Sequence, residues 1–364
     1  MILPTVRAHS SERDIPIHSD LPAVYRKLLP PSMRDPIPLE TENGLYLTDL
    51  ELFLDSRRSR ENGFVSHAHA DHFGRHENIL CSEPTAHLLK ARYNVADERL
   101  NPHPFHEPLE VGPFRLQLLP AGHIYGSAML HVTRKSDGES LLYTGDFKVH
   151  RSLTAEEPVF RRADTLVMET TFGAPKWIFP GENEITGMIL NFVNQSLEEG
   201  VVPALLAYSL GKAQEVQAIL TRSGIPAVSH PAVAKMTTAC REAGCRLPEP
   251  LTFEGPVPVG HALICPPNVM RSEEYQSIPN LRTAILSGWA LDTNATYRFG
   301  VDAAFPLSDH ADFPGLLDAV RRVSPKRIVT IHGYTREFSS ELRRQNYEAW
   351  SVDGGDQMEL DLQR

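Results

Sequence analysis

The sequence predicts an α/β protein with one main unit interrupted by a small inserted α/β domain. Three observations carry that expectation. From Leu45 onward, short apolar segments run repeatedly into loops that hold metal-capable side chains. Between about 181 and 290 the pattern changes to strands alternating with helices, without such loops. Near the C-terminus the first pattern returns, where Arg327 to Ile331 leads into His332-Gly333. A functional side chain just past a strand end, repeated this often, describes one sheet edge gathering a site.

Residues 1–43 contain seven prolines, Pro30-Pro31 among them, and read as an irregular N-terminal extension. The first part of the main unit, 44–180, holds five strand-to-loop junctions. Leu50 to Leu54 runs into Asp55, and Phe64-Val65 runs into Ser-His-Ala-His-Ala-Asp-His at 66–72. Phe114 to Leu119 leads to Ala121-Gly122-His123, and Ser140 to Tyr143 leads to Thr144-Gly145-Asp146. Thr165 to Met168 leads to Glu169. In the insertion, 181–290, Val202 to Ala207 reads as a strand, followed by an apolar-periodic helix to Leu220. A strand from Ile225 to Ser229, a helix from about Ala232 to Ala243 and a strand from His261 to Cys265 complete a β-α-β-α-β order. Gly211-Lys212 lacks the upstream glycine and the following Ser/Thr of a P-loop, so a helix start lining a phosphate cleft is expected there. Six prolines in 246–268 exclude a long helix. Residues 291–364 close the main unit.

At 364 residues the chain can bury two compact domains, and 41% apolar with 23% charged residues is ordinary for a soluble protein. The N-terminus lacks the apolar stretch of a signal peptide, and no run approaches the ~18 apolar residues of a membrane span, so a cytoplasmic protein without membrane contact is expected. Cys81, Cys240, Cys245 and Cys265 show no C-x-x-C spacing and read as small buried residues. A net charge of −10 argues against broad electrostatic attraction to nucleic acid, though not against a local cleft. The basic groups (Arg57, Arg58 and Arg60; Lys148 and Arg151; Arg161 and Arg162; Arg321, Arg322, Lys326 and Arg327) read as solvated faces.

The chemistry concentrates at His67, His69, Asp71 and His72, four metal-capable side chains in six positions. Imidazole and carboxylate suit zinc, manganese or iron, and neither packs cheaply into a core without a partner. His67 and His69 alternate along an extended segment and can face the same way, whereas Asp71 and His72 are adjacent and point to different sides. That suits two neighbouring ions better than one. His123 lies in a glycine-flanked loop, and Asp146 follows a strand and a glycine with two oxygens able to bridge. Of sixteen histidines, His310 and His332 also stand in contexts that invite a role. His76, His87, His131 and His150 read as structural, and His230 is a weaker candidate for substrate contact.

The H-x-H-x-D-H cluster, Ala-Gly-His, Thr-Gly-Asp and a C-terminal histidine together resemble the metallo-β-lactamase superfamily. That resemblance implies an αββα sandwich with metals at one sheet edge. Glu169-Thr170-Thr171-Phe172-Gly173, Leu307-Ser308-Asp309-His310-Ala311-Asp312 and Ile331-His332-Gly333 are similar to three motifs of the β-CASP nucleases. Tyr208 to Glu215 resembles a stretch of their inserted domain. The likeness runs over roughly residues 45–350.

It implies one metal held by His67, His69, His123 and Asp146, and a second by Asp71, His72, Asp146 and His332. Zinc or manganese is expected at both. Asp55 would orient a ligand histidine, and His310, positioned by Glu169, would face the scissile phosphate. Asp55, Asp71, Glu169 and His310 are thus the implied catalytic set. The activity implied is two-metal hydrolysis of phosphodiester bonds. The chain most resembles compact bacterial members associated with DNA ligases, which implies a DNA exonuclease in repair, partnered by a ligase or other repair proteins. An RNA-processing nuclease is the alternative, because RNA-cleaving members keep the histidine at 332. A small-molecule hydrolase of thioesterase or lactonase type is a third reading, against which the insertion and His310 count.

Overall fold

The structure is a computed structural model that describes residues 35–352, so most of the expected N-terminal extension lies outside the described residues. The first sheet contains β1 (Leu39–Glu40), β2 (Leu45–Leu47), β3 (Leu52–Leu54), β4 (Asn62–Phe64), β5 (Asn78–Ser82) and β6 (Leu100–His103), paired in chain order. A second sheet begins with β7 (Pro108–Val111), β8 (Phe114–Pro120), β9 (Ala128–Arg134), β10 (Ser140–Tyr143) and β11 (Thr165–Thr170). The chain then builds a separate sheet from β12 (Val202–Leu206), β13 (Ala227–Ser229), β14 (Leu251–Thr252), β15 (Ala262–Cys265), β16 (Leu281–Leu286) and β17 (Ala303–Phe305). All its pairings are parallel, in the order β14-β13-β15-β12-β16-β17. Finally β18 (Arg327–Gly333) and β19 (Glu348–Ser351) return to the second sheet beside β11.

Alternation along the strands decides the layers. In β8, Phe114, Leu116 and Leu118 are buried while Arg115 is exposed, and these three pack with Leu45, Leu47, Leu54 and Phe64 of the first sheet. β11 is apolar on both sides: Val167 joins that inter-sheet core, while Leu166 and Met168 pack under helices Phe313–Val323 and Thr335–Arg344. Each fully buried Leu or Phe contributes about 1.5–3 kcal/mol. The far face of the first sheet lies under helix Glu83–Tyr93, through Ile79, Cys81, Leu88 and Leu89. That helix starts where Ser82 Oγ accepts from Thr85 N at 3.1 Å and Pro84 occupies the first turn. The layering is therefore helix, sheet, sheet, helix, as the resemblance implied. Helix Pro231–Glu242 of the insertion adds Met236, Ala239 and Cys240 to the cluster around Leu88 and Leu89.

Three expectations are corrected. The inserted sheet does not end at 290, because β17 pairs with β16 through Ala284, Ile285 and Leu286. The intervening residues fold into a 3-10 turn, Gly288–Leu291, and the short helix Ala295–Phe299, which hide the continuation in a one-dimensional reading. The strand expected from Leu50 begins only at Leu52, since Thr48–Leu50 forms a 3-10 turn closed by Glu51 at φ 50°. The third is that Lys148 and Lys212 are buried and paired with carboxylates. All four cysteines are free and buried, as read; burial pushes the Cys81 thiol up to about 12. Among the described residues, no helix is long and apolar enough to cross a membrane.

Candidate metal centre

The loops that leave β4, β8, β10 and β18 and the end of β11 meet at one edge of the sandwich. Close approach of two of them depends on Gly145. It sits at φ 54°, and a Cβ there would lie 2.6 Å from Ser66 Cβ and Oγ, so no side chain fits between the Asp146 and His67 loops. His332 is presented differently. The β11–β18 register shifts between Glu169 and Thr170, leaving His332 as the extra residue at φ 55°. Thr170 Oγ1 donates to the His332 carbonyl at 2.6 Å and pins that bulge.

His67, His69 and His123 turn one ring nitrogen each toward a common point. His67 Nε2 lies 3.0 Å from His69 Nδ1, and His123 Nε2 lies 3.2 Å from the same atom. Asp146 Oδ2 stands 3.7 Å from His67 Nε2 and 3.8 Å from His123 Nε2. Four donors around a cation at 2.0–2.1 Å in a tetrahedron are separated by about 3.3–3.4 Å, which these distances bracket.

The outer nitrogens settle where the protons are. His69 Nε2 donates to the Leu210 carbonyl at 3.1 Å, and His123 Nδ1 donates to the Asp309 carbonyl at 2.9 Å. Ser66 Oγ donates to Asp55 Oδ2 at 2.5 Å and so accepts from His67 Nδ1 at 2.9 Å. Burial keeps all three imidazoles neutral, with His69 lowered to about 3 and His67 well below its ordinary value. Three inward lone pairs therefore face one another at hydrogen-bond distance with no proton between them. A divalent cation satisfies that arrangement, and the donor set fits one.

Asp146 Oδ2 also lies 3.1 Å from His72 Nε2, placing one oxygen between two groups of nitrogens. Burial alone would raise this carboxyl, but His72 and the other imidazoles outweigh it and hold Asp146 well below the usual carboxylate range. Asp71 Oδ2 is 3.7 Å from His72 Nε2 on a side chain that remains 51% exposed, and the His332 ring centroid is 5.6 Å from that of His72. These two form the rim rather than the floor. Asp55 stands behind: its Oδ2 accepts from His72 Nδ1 at 2.8 Å and from the Tyr143 hydroxyl at 2.8 Å, and its Oδ1 accepts from Ser66 N at 2.7 Å. Burial, reinforced by Asp55, pushes the Tyr143 hydroxyl well up, so it stays a donor.

His310 arrives from the segment after β17. Its Nδ1 lies 2.9 and 3.1 Å from the two oxygens of Glu169, which also accept from Phe147 N and Thr171 N. Burial disfavours the imidazolium, but Glu169, Asp146 and Asp309 outweigh it and raise His310 to about 9. Its ring packs 4.6 Å from that of His123. A cavity of about 490 Å³ opens beside it, lined by Lys148, His150, Arg151, Glu182, Asn183 and Ser308 among others.

The structure thus brings together every site residue read from the sequence, with Asp55 and Glu169 behind the others. Two lysines differ from expectation. Lys148 is buried against Glu182 at 2.8 Å and Glu215 at 3.7 Å, not on a solvated face. Lys212 is 6% exposed and bonded to Asp309, while Gly211 N is taken by Gln214 Oε1 at 2.7 Å, so this helix start does not line an open phosphate cleft. His230 caps its helix by accepting from Ala232 N at 3.0 Å. His131 lies in the core with Nε2 3.1 Å from the Arg162 carbonyl. Ser66, Tyr143, Asp309 and Leu210 escaped the sequence reading; only the place of Asp309 beside His310 could have signalled one of them.

Several known proteins are similar to this chain. The pattern of a family described as a Zn-dependent metallo-hydrolase RNA specificity domain matches residues 303–349. The chain is 40% identical over 328 residues to a protein of Opitutus terrae named probable DNA ligase, covering 90% of this chain and 32% of that one. It is 30% identical over 216 residues to a transcription termination factor, FttA, of Methanothermobacter thermautotrophicus, covering 50% and 34%. It is 28% identical over 163 residues to the mouse DNA cross-link repair 1A protein, covering 43% and 16%. The chain therefore spans about a third of the length of the first two relatives. A crystal structure of an Enterococcus faecalis protein of unknown function shares the fold, with a TM-score of 0.52 at 14% identity over 79% of this chain and 78% of that one. By its fold, its ordered motifs and these relatives, the chain belongs to the β-CASP branch of the metallo-β-lactamase superfamily.

Proposed function

We propose that the protein hydrolyses nucleic-acid phosphodiester bonds with two divalent ions, zinc or manganese, and that its substrate is DNA, taken exonucleolytically during repair. The observation that carries this reading is His310: an imidazole 11% exposed, held by Glu169 through Nδ1, beside the histidine-aspartate set yet outside it. His67, His69, His123 and Asp146 would hold one ion, and Asp146, His72, Asp71 and His332 the other. Ions so held supply charge neutralisation at the phosphate and a nucleophile from water at neutral pH. The protein's own part is positional. Asp55 fixes the tautomer of His72, and Ser66 fixes that of His67. His310, raised to about 9, carries a proton at neutral pH that it can deliver to the leaving oxygen.

DNA is favoured because one relative is named for DNA cross-link repair and another, matching 90% of this chain, is named a probable DNA ligase. A ligase is the partner we propose, in the cytoplasm. RNA is the second reading, supported by the family pattern named for RNA specificity over residues 303–349. End-labelled single-stranded DNA, duplex DNA and RNA, each incubated with manganese or zinc, decide between them on one gel. A one-nucleotide ladder on DNA alone is expected. Cleavage of RNA alone would replace the first reading with the second, and no cleavage under either metal would remove both.

A further inference from the structure

The inserted domain reaches the histidine-aspartate set through one turn, Tyr208 to Lys212, between β12 and helix Lys212–Arg222. Two of its groups bear on the set, one directly and one through Asp309. The Leu210 carbonyl accepts from His69 Nε2 at 3.1 Å, 141 residues away in sequence. The Lys212 ammonium bonds Asp309 Oδ1, and the carbonyl of that same Asp309 accepts from His123 Nδ1 at 2.9 Å. Asp309 Oδ1 also lies 3.7 Å from His310 Nε2. One turn of the insertion therefore touches the outer nitrogen of His69 and, through a single residue, that of His123, with the free Nε2 of His310 3.7 Å from the same Asp309 carboxylate.

The turn is stiff and closely fitted. Gln214 holds it from within: Oε1 accepts from Gly211 N at 2.7 Å, and Nε2 donates to Ser209 O at 3.1 Å and Thr237 Oγ1 at 3.0 Å. Gly211 sits at φ 98°, and a Cβ there would lie 2.5 Å from Ile124 Cγ2, the residue after His123. Lys212 and Asp309 are 6% and 2% exposed, so neither charge can turn to solvent without the turn leaving its seat. A second buried pair of reversed sense, Lys148 of the sandwich with Glu215 of the insertion, lies 3.7 Å apart.

We propose that Lys212 is a positioning residue of the metal centre: through Asp309 it fixes His123, while its own turn fixes His69, so that seating of the inserted domain and retention of the metal are one event. Loss of outer partners of this kind costs ~10–100-fold in metal affinity. The inference rests on the metal-centre reading above.

The test loads the full chain with cobalt as a spectroscopic stand-in and follows metal loss to excess chelator, without nucleic acid. Lys212→Met is expected to release metal at least tenfold faster with an altered cobalt spectrum, and Lys212→Arg to restore most of the retention. Lys212→Met strands the Asp309 charge, so the double variant Lys212→Met/Asp309→Asn, which keeps the 309 carbonyl and leaves no unpaired charge, is measured beside it. Fast release in the double variant supports positioning. Native retention and spectrum in either Met variant overturns it. A wild-type chain that binds no cobalt, zinc or manganese would instead defeat the metal-centre reading itself.

Discussion

Asp55→Asn tests how much of the metal centre is built by residues behind the ligands. The carboxylate accepts four hydrogen bonds, from Ser66 N and Ser66 Oγ, from His72 Nδ1 and from the Tyr143 hydroxyl. Three of them converge on Oδ2, on a side chain only 2% exposed. An amide can serve them in one way only, with its oxygen in place of Oδ2 and its NH2 in place of Oδ1. That sets donor against donor at Ser66 N, 2.7 Å away, and leaves the other three bonds without charge assistance. A bond to a charged acceptor contributes about 1.5–3 kcal/mol and a neutral one about 0.5–1.5, so three weakened bonds and one lost should together destabilise the variant by about 5–7 kcal/mol. Tyr143→Phe removes one bond and should cost about 1–2 kcal/mol. Urea unfolding of the metal-free chain measures both, and chelator competition should show metal held ~10–100-fold more weakly in Asp55→Asn. Wild-type stability together with wild-type metal affinity would refute the argument that Asp55 orients the site.

His69→Ala or Asp146→Asn should abolish metal content and cleavage together, whereas His310→Ala should abolish cleavage while elemental analysis finds the metals in place. Near wild-type cleavage by His310→Ala would remove the proposed acid. In the metal-free chain His310 is raised to about 9 in the folded state, above an ordinary unfolded value near 6.5. Its contribution is therefore complete below pH ~6.5 and lost as pH rises through ~9, up to about 3 kcal/mol in all. Glu169→Gln removes the largest of the charges that raise it, so the difference in unfolding free energy between wild type and variant should shrink from pH 6 to pH 9.5; a constant difference would count against the pairing.

The candidate ligands were legible because their residue types are rare in company. Three histidines and an aspartate at 67–72 have no cheap apolar explanation, and strand-then-loop punctuation placed His123, Asp146, Glu169 and His332 at the same edge. What the sequence hides is every partner whose meaning depends on distance in the fold. Tyr143 reads as the apolar end of β10, and nothing local shows that its hydroxyl meets a carboxylate 88 residues earlier. Lys212 reads as the start of a helix lining a phosphate cleft because its acceptor stands 97 residues later. The same limit explains the end of the insertion: Ala303–Phe305 is too short to announce a strand, and only pairing with β16 makes it one.

The misread lysines bear on how an acidic chain could engage nucleic acid at all. With a net charge of −10, the cations near the cleft matter individually. Lys148 is neutralised by Glu182 and Glu215, and Lys212 by Asp309, so neither offers charge to a phosphate. Further off, Arg327 is paired with Glu139 and Lys326 with Asp164. At the cleavage point itself the neutral His67, His69 and His123 add no charge, and the raised His72 and His310 are balanced by the Asp146, Asp55 and Glu169 carboxylates that hold them. Two divalent ions would add about +4 there, inverting the local field. The metals then serve binding as well as chemistry, and a chelated protein should lose affinity for its strand, not merely turnover. A fluorescence-anisotropy titration of labelled single-stranded DNA, with and without chelator, separates the two. Equal affinity in both would mean that surface arginines, Arg151 beside the cavity foremost among them, hold the strand without help from the site.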